Sequence, residues 1–169
     1  VIARACAAGV EGALTILAAD DEPELVRAAD VYARWPQVRF SIGVHPHAAG
    51  QFAAAPEAAA AAVAAALAAQ PAARAVGEIG LDYHYDFSPR DVQQAVFRAN
   101  IRAASLAQVP LVIHARDADE DIANILQEER ANGQHFSFLL HCFSSTRALA
   151  EAAVAMGGYV SFSGILTFP

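Results

Sequence analysis

The sequence predicts an α/β fold: about six consecutive βα units, with parallel strands inside and helices outside. Three observations predict it. Six short apolar runs recur without a clean polar face, as strands read when a parallel sheet is covered on both sides. The segments between them carry helix start and stop signals. Four consecutive runs, the second to the fifth, end in titratable residues: His45 with His47, Glu78, His114 and His141.

The elements follow in order. "ALTILAA" (13–19) is the first strand. After Asp20–Asp21, Pro23 opens a helix from a position that suits proline. "VRFSIGV" (38–44) is the second strand. The alanine tract 53–69, opened by Pro56 and carried to Gln70, reads as an outer helix of high propensity rather than as low-complexity chain. "RAVGEIG" (74–80) is the third strand, and Ser88-Pro-Arg-Asp offers an N-cap, a proline and an acid for a helix to about Gln108. "PLVIH" (110–114) precedes a helix that Asp117 is expected to cap and that stops near Gly133. "FSFLLH" (136–141) leads to a helix over 144–156, ended by Gly157–Gly158, and then to "YVSFSG" (159–164). Trp35, Phe97, Phe138 and Phe143 are expected between sheet and helices. The acids of 117–129 are expected on a solvated helix face.

An open doubly wound sheet and a closed (β/α)8 barrel both satisfy this pattern. No GxGxxG follows the first strand, so a dinucleotide-binding sheet has little support. The chain opens within a helix and stops just past a strand, and a whole barrel takes about 250 residues. The expectation is therefore a partial TIM (β/α)8 barrel, with residues 1–169 as one domain of a longer one.

Composition narrows the function. The chain is 56% apolar, but 42 of its 169 residues are alanine, so core-forming bulk is smaller than that share suggests. There is no lysine, there are eleven arginines, and the net charge is −7. Such a balance argues against a broad basic surface gripping nucleic acid by counterion release, and leaves room for a local phosphate site. Cys6 and Cys142 form no CxxC and imply no disulfide framework. Both are expected to be small buried hydrophobes, Cys142 on the strand face opposite His141. A reducing compartment, the cytoplasm, fits. No apolar run approaches the roughly 20 residues of a membrane helix, and the opening residues do not read as a signal peptide.

In a barrel, the carboxyl ends of the strands share one face, and catalytic groups gather there. One strand-end histidine is ordinarily a hydrogen-bonded structural residue. Four such ends in succession are a different observation, because parallel neighbours make the side chains converge. Imidazoles and a carboxylate suit Zn²⁺, Mn²⁺ or a related divalent ion. A carboxylate can also bridge two ions about 3.5–4 Å apart, an arrangement that serves phosphoester hydrolysis.

Taken together, "GVHPH", "AVGEIGLDYHYD", "PLVIHARDA", "LLHCFSS" and "GGYVSFSGILTF" resemble, in order and over the whole chain, the motifs of the TatD family of metal-dependent deoxyribonucleases, a branch of the amidohydrolase-like barrels. The resemblance implies a barrel hydrolase that cleaves DNA phosphodiester bonds with metal-activated water, as an exonuclease on single strands. It implies two divalent ions, with Mg, Mn and Zn undistinguished. Glu78 would be the catalytic carboxylate bridging both, and His114 and His141 would hold the second. His45 and His47 match the family's third-strand motif and are assigned to the substrate side. The family's first-strand His-x-His pair and last-strand aspartate, which serve the first metal, have no counterpart in these residues.

Other residues keep two readings. Arg116 either clamps a phosphate oxygen or pairs with Asp82 or Asp117. Asp82 either orients a ligand or shapes the loop. Tyr83, Tyr85 and Phe87 either stack an unpaired base or pack the loop. "SFSG" (161–164) either binds phosphate through backbone N–H groups or is a tight loop. A small-molecule phosphoester, lactone or amide hydrolase on the same barrel, and a non-catalytic truncated chain, are the alternative functions.

Overall fold

A computed structural model describes residues 1–168. Its elements alternate: α1 (Ile2–Ala7), β1 (Ala13–Ala18), α2 (Glu22–Arg34), β2 (Val38–Gly43), a 3₁₀ helix (Pro46–Phe52), α3 (Glu57–Ala69), β3 (Ala73–Asp82), α4 (Arg90–Ala107), β4 (Leu111–Arg116), α5 (Asp119–Ala131), β5 (Phe138–Leu140), α6 (Arg147–Ala155), β6 (Tyr159–Val160) and a 3₁₀ turn (Gly164–Thr167). All strand pairs are parallel, and the order across the sheet is the order along the chain.

The period of two sorts side chains between the sheet's faces. Ile79, Ile113 and Leu140 are register partners, are buried, and belong to one core with Phe97, Ile101, Ile122 and Leu126 of α4 and α5. A second core joins Leu17, Phe40 and Ile42 to Ala28 of α2 and Ala66 of α3. The helices supply these contacts through stripes at helical spacing, such as Ile122, Ile125 and Leu126 in α5. Trp35 packs at the edge of the second core, Phe97 and Phe138 are inside the first, and Phe143 lies against it. Residues alternating with this set, including His114 between Ile113 and Ala115, face the other side of the sheet.

Several boundaries differ from expectation for local reasons. β4 runs to Arg116, because Leu81 and Asp82 of the long β3 pair with Ala115 and Arg116. β5 and β6 are shorter than their apolar runs and leave His141 one residue past a strand end. Ser88 does not cap α4. Its hydroxyl donates to the His47 carbonyl (3.0 Å) and accepts from the Gly50 amide (2.8 Å). Asp117 does not cap α5 either: it sits at φ 52°, and its carboxylate meets the His84 ring. The cap of α6 is Thr146, whose own amide and hydroxyl both reach Asp119.

The acidic run is accordingly not simply solvated. Glu129 lies on the buried stripe of α5 and accepts from Arg98 and Arg102 of α4, and Arg102 also pairs with Glu57 of α3. Among the described residues no single helix is long and apolar enough to cross a membrane. The first 3₁₀ helix and α3 would pass only as a pair, bent by 113°, and both pack on α4.

Candidate metal centre

Four strand ends build the site. At the end of β2, the Val44 amide donates to Asn100 of α4 (3.3 Å), fixing where the chain leaves the sheet. His45 follows and caps the 3₁₀ helix, its Nδ1 accepting from the His47 amide (3.2 Å). Ser88 pins this segment from the other side through His47 and Gly50.

β3 contributes two carboxylates. Its pairing with β4 shifts between Val76 and Ile79, so an extra residue enters β3 next to Glu78. Beyond the shift, Gly80 is register partner of His114, at φ 132°. A Cβ there would overlap the His114 carbonyl, so only glycine lets the strands close at this point. Asp82 ends the strand. Buried Gln93 brackets it, accepting from its amide (2.9 Å) and donating to its carbonyl (3.0 Å).

The side chains then meet. His45, Glu78 and His114 each offer a ligand atom, and these atoms all lie within 4.8 Å of one another. Nδ1 of His114 faces Glu78 Oε1 at 3.3 Å, and its Nε2 lies 2.9 Å from Asp82 Oδ2. The same Asp82 oxygen meets His47 Nε2 at 2.9 Å, and its other oxygen accepts from the His84 and Tyr85 amides. Asp82 therefore both orients a histidine and shapes the loop.

Charge follows geometry. Burial pulls Asp82 upward, but the Tyr85 amide and the two imidazoles outweigh it and hold its carboxyl down to about 2. Burial likewise opposes ionisation of Glu78, yet the hydrogen bond and charge of His114, with His45 and His141 behind it, lower its pKa. His114 is desolvated but pushed up by Glu78 and Asp82. His45 is driven down to about 4, first by burial and then by the positive His114. The same contacts thus favour ionised carboxylates at Glu78 and Asp82, a neutral imidazole at His45, and the protonated form of His114, whose ring stands between the two acids. Two nitrogens and a carboxylate within reach of one point fit a divalent cation, which would compete with a proton for His114.

The expected site residues fall out as follows. Glu78 and His114 come together. His45, assigned by the resemblance to the substrate side, stands in the cluster with them. His47 is turned to Asp82. His141 lies on the adjoining strand end, outside the group of mutually close ligand atoms among the described residues, with its Nε2 3.2 Å from Cys142 Sγ. Cys142 is thus not on the opposite face of a strand: it is past the strand, at φ 46°, and both Cys142 and Cys6 are exposed rather than buried. Arg116 pairs with neither Asp82 nor Asp117, whose oxygens go to histidines. Its guanidinium lies over the Tyr85 ring, 5.4 Å from the centroid. A cleft of about 990 Å³ opens by the starts of α5 and α6, lined by Tyr83, Arg116, Asp117, Ser144 and Thr146 among others; none of His45, Glu78 and His114 lines it.

Gln93 and His84 have no assigned role in the sequence reading, and Ser88 figures there only as a helix cap. Gln93 and Ser88 act through contacts between a helix or loop and a strand that carry no spacing signal. His84 alternates with Asp82 in "LDYHYD", and that was the one available hint.

Comparison with known proteins agrees with this architecture. The family model described as TatD related DNase matches residues 1–169. The "uncharacterized metal-dependent hydrolase YabD" of Bacillus subtilis is 36% identical over 168 residues, 99% of this chain and 63% of that protein. The "3′-5′ ssDNA/RNA exonuclease TatD" of Escherichia coli is 35% identical over 166 residues, 97% of this chain and 60% of that protein. The crystal structure of the TatD homologue YjjV from E. coli superposes with a TM-score of 0.78 at 25% identity, covering 99% of this chain and 62% of that one. The chain thus spans about 60% of the length of the relatives it matches.

Proposed function

We propose, on the premise that the chain belongs to the family of TatD related DNases, that it serves metal-dependent hydrolysis of phosphodiester bonds in single-stranded nucleic acid. The convergence of His45, Glu78 and His114 on one point carries the reading. His45 and Glu78 are the unprotonated donors, and His114 presents Nδ1 to the same point while Asp82 holds its other nitrogen. His141, one strand away, is proposed as a further ligand, in line with its resemblance to the family's motif. A divalent ion bound there supplies Lewis-acid stabilisation of charge on a phosphoryl oxygen. Glu78, kept ionised, takes the role of catalytic carboxylate that orients and deprotonates the attacking water. Arg116, whose guanidinium lies over Tyr85 and has no carboxylate partner among the described residues, is proposed to meet a neighbouring phosphate.

Single strands are favoured by the net charge of −7, which argues against gripping duplex through a broad basic surface, and by the word "ssDNA/RNA" in the relatives' names, which also carry a 3′-to-5′ direction. Two unpaired, exposed cysteines support a cytoplasmic place for this one-domain unit. The test uses end-labelled single-stranded oligonucleotides with Mn²⁺, Mg²⁺ or Zn²⁺, beside a panel of small phosphoesters, lactones and amides. Glu78→Gln should lower metal-dependent cleavage by roughly 10²–10⁴-fold. Cleavage of small esters alone would return the site to the small-molecule alternative, and the label retained identifies the direction.

A further inference from the structure

Three aromatic side chains rise from the loop after β3, and the structure treats them differently. Tyr83 is consumed by packing: it lies against the first core, its hydroxyl meets Asp121 and Gln94, and Arg90 covers its ring at 4.4 Å. Tyr85 and Phe87 belong to neither core. They stack on each other at 5.5 Å and 10°, yet remain 51% and 66% exposed. Two apolar rings held parallel in solvent contribute little to the fold, so their order needs another reason.

The stack is tied to the metal centre. His47 stands perpendicular to both rings, 4.8 Å from Phe87 and 5.7 Å from Tyr85, while its Nε2 meets Asp82. The His114 ring is only 6.3 Å beyond it. Asp82 fixes the Tyr85 amide, so the carboxylate that orients His114 also sets the position of the rings. Arg116, on the strand of His114, lies over Tyr85. A flat π surface and a guanidinium, one imidazole away from the proposed ion, match the chemistry of a nucleotide: ring on ring, phosphate beside the cation.

We propose that the Tyr85–Phe87 stack is a nucleobase platform, which seats the base of the nucleotide adjoining the phosphate held at the metal centre. This deepens the nuclease reading and rests on it. The platform accepts any base, because every base offers a π face, and it excludes paired duplex, whose bases are already stacked. It also supplies affinity that a chain of net charge −7 cannot draw from a basic surface.

The test measures equilibrium binding, with Mn²⁺ present, of a single-stranded phosphorothioate oligonucleotide that resists cleavage. The oligonucleotide is compared with versions made abasic at each of the terminal nucleotides in turn. The wild-type protein should lose roughly tenfold or more in affinity when one particular base is removed. A Tyr85→Ala, Phe87→Ala variant should bind the intact oligonucleotide at that weakened level and lose nothing further with the abasic one. Phe87→Trp should keep the discrimination, and 2-aminopurine at the sensitive position should be quenched by wild type and not by the double variant. A protein that cuts oligonucleotides but binds intact and abasic versions equally, or a double variant that still discriminates, overturns the platform alone. A protein that neither binds nor cuts any oligonucleotide overturns the nuclease reading and the platform with it.

Discussion

At the scale of the residue, Tyr83 provides a measurable consequence of a buried contact. Burial first, and then the hydrogen bond to Asp121, raise its hydroxyl to about 12. A folded-state value above the unfolded value near 10 means that its contribution is whole below pH 10 and is lost as pH rises through 12. Tyr83→Phe should therefore cost about 1–2 kcal/mol at neutral pH. The gap between variant and wild type in urea denaturation should narrow between pH 10 and 12. A gap that stays constant over that range would assign the cost to packing alone. Much of the site was legible at this scale. Glu78, His114 and His45 stand at or just past apolar runs of the sequence, a place that has no use for a titratable group unless others meet it, although β3 and β4 continue to Asp82 and Arg116. What a single sequence does not show is pairing at a distance. Asp82 serves His47 and His114 at once, and these lie 35 and 32 residues away.

At the scale of the element, the junction of α3, α4 and α5 is held by charge as well as by apolar contact. Glu129 is 1% exposed and accepts from both Arg98 and Arg102. Truncating it leaves two guanidinium groups short of an acceptor, though both retain access to water, so the cost falls below that of a wholly buried pair. Glu129→Ala is expected to destabilise by about 2–3 kcal/mol and to lower the melting temperature by about 5–10 °C, with Glu129→Gln recovering part. Calorimetry of the three proteins checks it, and an unchanged melting temperature for Glu129→Ala would show the network to be ornamental. The spacing already held this information: Glu129 follows Ile122, Ile125 and Leu126 at the interval of one face. Helix starts were less legible. Ser88 and Asp117 are good caps by type, but a loop and a histidine claim their side chains.

At the scale of the whole molecule, βα alternation and parallel pairing were readable, because runs without a polar face demand cover on both sides. The extent of β5 and β6 was not, since an apolar run does not show how many of its residues find a partner strand. The described sheet has two edges, β1 and β6, and Leu14, Tyr159 and Phe162 near them are 47%, 69% and 60% exposed. A polypeptide of these 169 residues is expected to self-associate through such edges. Sedimentation velocity should show species larger than a monomer that diminish in a Leu14→Lys, Tyr159→Lys variant. A monodisperse monomer at high concentration would count against exposed edges as a liability.

The agreement of sheet order with chain order also bears on how the molecule is made. No strand has to wait for a later one to be inserted beside it, because each βα unit adds to the edge left by the unit before. On a ribosome that delivers the N-terminal residues first, every newly emerged strand finds its partner already in place. His45, Glu78 and His114 belong to three successive additions, so the cluster closes once β4 has docked. Parallel sheets are ordinarily slow to assemble, since each pairing must close a long loop. Here each closure spans one α-helix, preceded by the 3₁₀ helix between β2 and β3, and growth from one end turns a long-range search into a series of short ones.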